Sequence, residues 1–110
     1  MMLNRGLYDH QRYFRPETVD RFTGAPGSRG ASESLGWQKP SDSAWAGKVF
    51  SPAAYGHTGF TGTSIWIDPQ RQLFIILLTN RVHPTRQNTK IDEARRTITE
   101  SVLRALGIGL

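Results

Sequence analysis

Apolar and polar positions follow different rhythms along this chain. From Met1 to Ala54 no period is sustained, and glycine, serine and proline break up the apolar residues. From Tyr55 to Ile67 a polar, glycine-punctuated stretch runs into Ile65-Trp66-Ile67, which predicts one or two strand segments. Leu73 to Thr79 is an almost continuous apolar run, too short for a helix, and predicts a strand covered on both faces. Between them Asp68-Pro69-Gln70-Arg71-Gln72 has turn chemistry, so the flanking strands are expected to form an antiparallel hairpin. In the last segment Ile91, Ala94, Ile98, Val102 and Ala105 recur at three- and four-residue spacing. Asn88 or Thr89 stands as the cap, Asp92 and Glu93 in the first turn, and Gly107 at the stop, which together predict an amphipathic helix.

The first half reads differently. Met1 to Leu7 suggests the end of a helix with no cap before it, and Pro16 to Phe22 a short helix opened by proline and an early acid. Thr23 to Ser34 reads as loop, Ser34 to Gln38 as a strand, and Lys39 to Ala54 as another long connection, so 23–54 is a loop-rich region. The second half is expected to carry the core. The whole predicts an α+β fold: an antiparallel sheet with N- and C-terminal helices packed on one face, the other face left for further sequence. Residues 1–110 are expected to form one partial domain.

The chemistry concentrates in Tyr55-Gly56-His57-Thr58-Gly59-Phe60-Thr61-Gly62-Thr63-Ser64. Alternation along a strand sets His57, Gly59 and Thr61 on one side, with Thr58, Phe60 and Gly62 on the other. Glycines 56, 59 and 62 remove side chains, so a substrate or a neighbouring segment can lie against this ribbon. Exposed amides of such an edge can bind a peptide-like ligand by strand addition, or face a developing oxyanion, where one donor contributes roughly 3 kcal/mol.

His57-Thr58-Gly59, leading into Gly62-Thr63-Ser64-Ile65-Trp66-Ile67-Asp68-Pro69 and then Leu77-Leu78-Thr79-Asn80-Arg81-Val82-His83-Pro84, resembles the C-terminal part of the serine β-lactamase and penicillin-binding-protein superfamily, closest to its class C-like esterase and peptidase branch. Met1-Met2-Leu3-Asn4-Arg5-Gly6 and Phe14-Arg15-Pro16-Glu17-Thr18-Val19 resemble the helix, turn and helix that precede this region there. The resemblance implies catalytic roles for His57, Thr58 and Gly59, His57 standing where the family's usual lysine stands. It implies that the Phe60 amide belongs to the oxyanion hole and that Thr61 contacts substrate. Asn80 and Arg81 are expected to cap a turn.

Two family motifs are missing. Lys39, Lys48 and Lys90 are preceded at the Ser-x-x-Lys spacing by Gly36, Trp45 and Gln87, while Tyr8, Tyr13 and Tyr55 are followed at the Tyr-x-Asn spacing by His10, Arg15 and His57. The resemblance therefore implies the C-terminal segment of a hydrolase of amides, esters or lactams, inactive alone, with its nucleophile on preceding sequence. The alternative is a binding module or pseudoenzyme that holds peptide or cell-wall fragments without turning them over.

Charge and composition narrow the partners. The net charge of +5 and pI near 10.2 invite nucleic acid, but the arginines are scattered, only Arg95-Arg96 is adjacent, and no basic run accompanies them. A solvated basic surface is the better reading, with a small-molecule or peptide-like substrate, the rest of the hydrolase, and self-association as the expected partners. Absence of cysteine excludes disulfides and thiolate chemistry and fits a periplasmic, secreted or cytoplasmic parent. His10, His57 and His83 lack metal-ligand spacing, so neither metal nor cofactor is expected. Trp37, Trp45 and Trp66 are expected in core or rim packing, and the run Leu73 to Leu78 is too short to span a bilayer.

Overall fold

Left-handed residues shape the start of the chain in the computed structural model, which describes residues 1–25 and 35–109. Turns from Met2 to Gly6 lead to a ribbon of β1 (Leu7–Tyr8) and β2 (Gln11–Arg12), paired antiparallel with Tyr8 opposite Gln11. The helix expected at Met1 to Leu7 is therefore absent. Asp9 and His10 both have positive φ, 47° and 60°, the geometry a two-residue hairpin loop needs, and Asp and His tolerate it better than most residues. Helix α1 (Pro16–Thr23) follows, with Pro16 and Glu17 in its first turn and Gly24 at φ 63° ending it.

The strand expected at Ser34 to Gln38 reduces to one bridge, Gln38 with Gly56; Ser34 and most of the Thr23 to Ser34 loop lie outside the described residues. The Lys39 to Ala54 connection contains two single 3-10 turns, Pro40–Asp42 and Ala46–Lys48. Then come β3 (Tyr55–Thr58), β4 (Ser64–Asp68) and β5 (Leu73–Leu77), an antiparallel sheet in the order β3-β4-β5, and α2 (Ile91–Ala105). Tyr55 to Ile67 thus resolves into two strands, and the hairpin through Asp68–Gln72 forms as the pattern predicted.

The core corrects the expectation that the second half alone supplies it. Trp45, Ala46, Val49, Phe50 and Ala54, all from the supposed connection, are buried with Trp66 and Leu103. Phe50 stacks on the Trp66 ring at 5.1 Å, and Trp45 meets it edge-on at 5.7 Å. The segment needs no long regular element because buried Asp68 anchors it: its carboxylate accepts from the Ser51 amide at 3.0 Å and the Ser51 hydroxyl at 2.6 Å. Arg71 adds a bond to the Val49 carbonyl at 2.6 Å. A buried carboxylate persists where such donors replace water.

Two expectations about the sheet and last helix fail for geometric reasons. Strand β5 alternates between half-buried and exposed, with Phe74 58%, Ile76 53% and the following Leu78 78% exposed, so one face is bare rather than covered. In α2 the buried positions are Arg95, Thr99 and Leu103, one residue round from the predicted stripe, and Ile98 and Ala105 are exposed. Lys90, rather than Asn88 or Thr89, occupies the cap position; the Asn88 side chain accepts from the Lys90 amide at 3.0 Å. Gly107, at φ 70°, stops the helix as expected.

Opposite residues share a face, so Trp66, Gly56 and Ile75 lie on one side with Leu103 of α2, while Tyr55, Ile67 and Phe74 lie on the other. Helix α1 reaches that second side: Val19, Asp20 and Thr23 border a cavity with Tyr55, and Trp37 caps the Tyr55 ring edge-on at 5.2 Å. The two helices therefore flank opposite faces instead of sharing one. Among the described residues no helix is long and apolar enough to cross a membrane.

Candidate active-site strand and turn

Strand β3 is the outer strand on one side of the sheet, and its outer edge is only partly covered. Gly56 turns its backbone away from β4, donating to Gln38 O at 3.0 Å and accepting from Gln38 N at 2.8 Å. Backbone direction alternates along a strand, so Thr58, two residues on, turns its own N–H the same way, beyond the reach of the Gln38 bridge. The edge thus opens at the centre of His57-Thr58-Gly59.

The glycines of this ribbon answer the choice left open by the sequence. A Cβ on Gly56 would overlap the Ile65 carbonyl oxygen and the Trp66 indole. One on Gly59 would overlap the Thr63 hydroxyl, and one on Gly62 that of Thr79. All three spaces are taken by the protein's own atoms, so the neighbouring segment, and not a substrate, explains them.

Alternation stops at Thr58. Gly62 N donates to Gly59 O at 3.0 Å and Gly59 N to Thr63 O at 2.7 Å, closing a tight turn that Gly62 enters at φ 106°. His57 is exposed, opposite Ile65, and Thr58 is half-buried on the Trp66 side. The His57 Nδ1 lies 2.9 Å from the Thr58 carbonyl. A carbonyl only accepts, so Nδ1 carries the proton in this contact and Nε2 is the ring nitrogen left to face outward. Phe60, 67% exposed, and Thr61 occupy the centre of the turn, and among the described residues neither amide donates to a protein acceptor. His57 and Thr58 thus point to opposite faces of one strand, and Phe60 and Thr61 project from the turn beyond it.

Sequence reasoning missed two side chains here. Arg81 holds the Phe60 carbonyl through Nε at 2.7 Å and lies over the Phe60 ring at 4.6 Å. Arg95, only 5% exposed, donates to Gly59 O at 3.2 Å and Thr63 O at 3.0 Å, and pairs with Asp92 at 2.9 Å. Arg95 was expected on a solvated basic surface and Arg81 as a turn cap. The signal for Arg95 is the spacing Arg95, Thr99, Leu103 on one helical face, which an apolar count passes over because two of the three are polar.

Two cavities beside α1, of about 400 and 290 Å³, lie elsewhere; none of His57, Thr58, Gly59, Phe60 or Thr61 borders either. Burial raises Tyr55, which lines the larger, to a pKa of about 12, helped by the Asp20 carboxylate. Among the described residues no group of three His, Asp or Glu side chains is placed to hold a metal ion.

An antiparallel sheet with helices against it, carrying a His-Thr-Gly strand that ends in a tight turn, is an α+β fold consistent with a fragment of a β-lactamase-like domain. The chain belongs to the β-lactamase family, whose sequence profile matches residues 4–100. It is 38% identical over 95 residues to a protein of Salmonella gallinarum named "Putative D-alanyl-D-alanine carboxypeptidase", an alignment covering 84% of this chain and 22% of that protein. It is 43% identical over 86 residues to the N-acetylmuramyl-L-alanine amidase of Bacillus subtilis, covering 76% of this chain and 19% of the relative. The chain therefore spans about a fifth of the length of these relatives.

Proposed function

We propose that this chain is a partial domain, the C-terminal part of a β-lactamase-related serine hydrolase that cleaves an amide, ester or lactam through an acyl-enzyme. It supplies one wall of the site and one oxyanion donor. The observation that carries this reading is the juxtaposition of an exposed imidazole with a strand edge at Thr58 and a Phe60 amide that have no partner among the described residues. In this reading the Thr58 edge aligns the substrate backbone and the Phe60 amide receives the carbonyl oxygen as it gains charge. His57 Nε2 hydrogen-bonds or shuttles a proton, Thr61 contacts substrate, and a serine on preceding sequence forms the acyl bond. The names of the relatives point to the amide bonds of cell-wall peptides as the substrate class.

The test joins the part of a full-length relative that precedes the matched region to this chain. The joined protein is expected to turn over nitrocefin or a short-chain p-nitrophenyl ester and to carry an acyl adduct by mass spectrometry, while the isolated chain does neither. Turnover by the isolated chain overturns the assignment of the nucleophile. A joined protein that folds and never acylates overturns the hydrolase reading. The Thr58 edge also favours a second reading, a module that binds a peptide strand without cleaving it. That reading predicts binding of an N-acetylated D-alanyl-D-alanine peptide by the monomeric, cooperatively folding chain.

A further inference from the structure

The turn from Gly59 to Thr63 is fastened by two guanidinium groups that come from outside the sheet. We propose that Arg95 and Arg81 are positioning residues that aim the Phe60 and Thr61 amides. The proposal deepens the hydrolase reading and rests on it for the use made of those amides.

A peptide unit is planar, and its C=O and N–H point in opposite directions. The Gly59 carbonyl and the Phe60 N–H belong to one such plane, and the Phe60 carbonyl and the Thr61 N–H to the next. Arg95 grips the first plane by its oxygen at 3.2 Å, and Arg81 grips the second at 2.7 Å. Each cation therefore fixes the far end of a plane whose near end is an amide with no protein acceptor among the described residues. Charge-assisted bonds are the strong ones, and a hydrogen bond to a carbonyl polarises the N–H of the same unit into a better donor.

The two arms are anchored independently. Arg95 is buried in α2, spans Gly59 O and Thr63 O with one nitrogen, and is steadied by Asp92. Its Nε is buried without a partner among the described residues, which gives the side chain one desolvated donor to offset with the turn carbonyls. Arg81 follows β5, and its backbone N–H also holds Thr61 O at 2.8 Å. Its Nη1 donates to the Arg86 and Asn88 carbonyls, both at 3.2 Å. The stretch after β5 and the last helix are thus coupled to the turn through these two side chains.

The experiment uses the 110-residue chain labelled with ¹⁵N, as the parent and as Arg95→Gln, Arg95→Lys and Arg81→Gln. A merely structural role spreads its effect; aimed planes give a crossed pattern. Arg95→Gln is expected to move the Phe60 nitrogen resonance upfield, Arg81→Gln that of Thr61, and Arg95→Lys is expected to fall between parent and Gln. Exchange of the Gly59 and Gly62 amides should quicken about tenfold in Arg95→Gln while the Leu73 to Leu77 ladder holds. Unmoved Phe60 and Thr61 resonances overturn the proposal, as does a change spread evenly over β4, β5 and α2. If Arg95→Gln fails to fold, Arg81→Gln decides alone, since Arg81 is only half-buried. In the joined hydrolase either Gln variant should lower kcat up to about a hundredfold with little change in KM. A crossed shift pattern without any hydrolysis keeps the clamp and removes the hydrolase reading; hydrolysis without the crossed pattern does the reverse.

Discussion

Gly56→Ala adds one methyl group to the ribbon at the place where the strand meets the core. The new Cβ would overlap the Ile65 carbonyl oxygen and lie 2.7 Å from Trp66 Cε3, where real Cβ atoms keep beyond 3.0 Å. Neither neighbour yields cheaply. The carbonyl belongs to β4, and the Trp66 ring is 1% exposed, stacked on Phe50 and abutted by Trp45. Forcing a methyl into a packed core costs about 1–3 kcal/mol, and here the upper end applies because a backbone atom must move. A domain of this size has about 5–15 kcal/mol in all, so the loss is a large share of its stability. Each kcal/mol lowers Tm by about 4–8 °C, giving an expected fall of roughly 12–24 °C. Thermal melts followed by circular dichroism and Trp fluorescence measure it, with Gly109→Ala as the control because nothing lies near a Cβ there. Combining Gly56→Ala with Trp66→Leu should recover part of the coupling, since the indole accounts for part of the overlap. A Gly56→Ala melt close to the parent's would refute the packing account and return Gly56 to the role of leaving room for a ligand.

Three further outcomes follow from other contacts. Asp68→Ala leaves the Ser51 amide and hydroxyl without their acceptor and the Arg71 guanidinium without its carboxylate partner at 3.6 Å, and should cost about 3–5 kcal/mol by urea denaturation, with Asp68→Asn less severe. The folded chain holds the Tyr55 proton to a pKa of about 12 while the unfolded chain releases it near 10.0. That contribution is fully present below pH 10 and lost as pH rises toward 12, so urea midpoints should fall between about pH 10 and about pH 12, and Tyr55→Phe should flatten the fall. Placing Glu at both Phe74 and Ile76 should leave the melting temperature nearly unchanged and abolish self-association by analytical ultracentrifugation; a parent chain that is monomeric at high concentration contradicts the exposed-face account.

Some of this structure was legible in the sequence because local chemistry decides it. The Asp68–Gln72 turn, the proline-led α1 and the Gly107 stop each rest on residues that impose their own backbone angles or satisfy their own backbone groups. Trp37, Trp45 and Trp66 were legible as packing residues, and two of them are core. The rest depended on distant partners. Leu73 to Leu78 is apolar throughout, and that composition does not say which face has a neighbour in this chain. The Lys39 to Ala54 segment looked like a linker because its apolar residues have no period. They are held instead by one carboxylate seventeen residues away, a contact no local window registers. The β1–β2 hairpin escaped because Asp9-His10 does the work usually assigned to a glycine turn.

The exposed face and His57 occur on the same side of the sheet. His57 stands opposite Ile65, which stands opposite Ile76, so the imidazole and the bare residues of β5 form one row across three strands. Whatever covers Ile76 and Phe74 must pass within reach of His57. A segment docking there gains about 25 cal/mol for each Å² of apolar surface it removes from water, and in docking it brings its own polar groups toward the imidazole and the Phe60 turn. A segment docking on this face would therefore bury the apolar row and approach His57 in one event. The α2 side of the sheet is already packed around Trp66 and Leu103, and from that side Arg95 holds the turn, so the amides are aimed before the opposite face is filled.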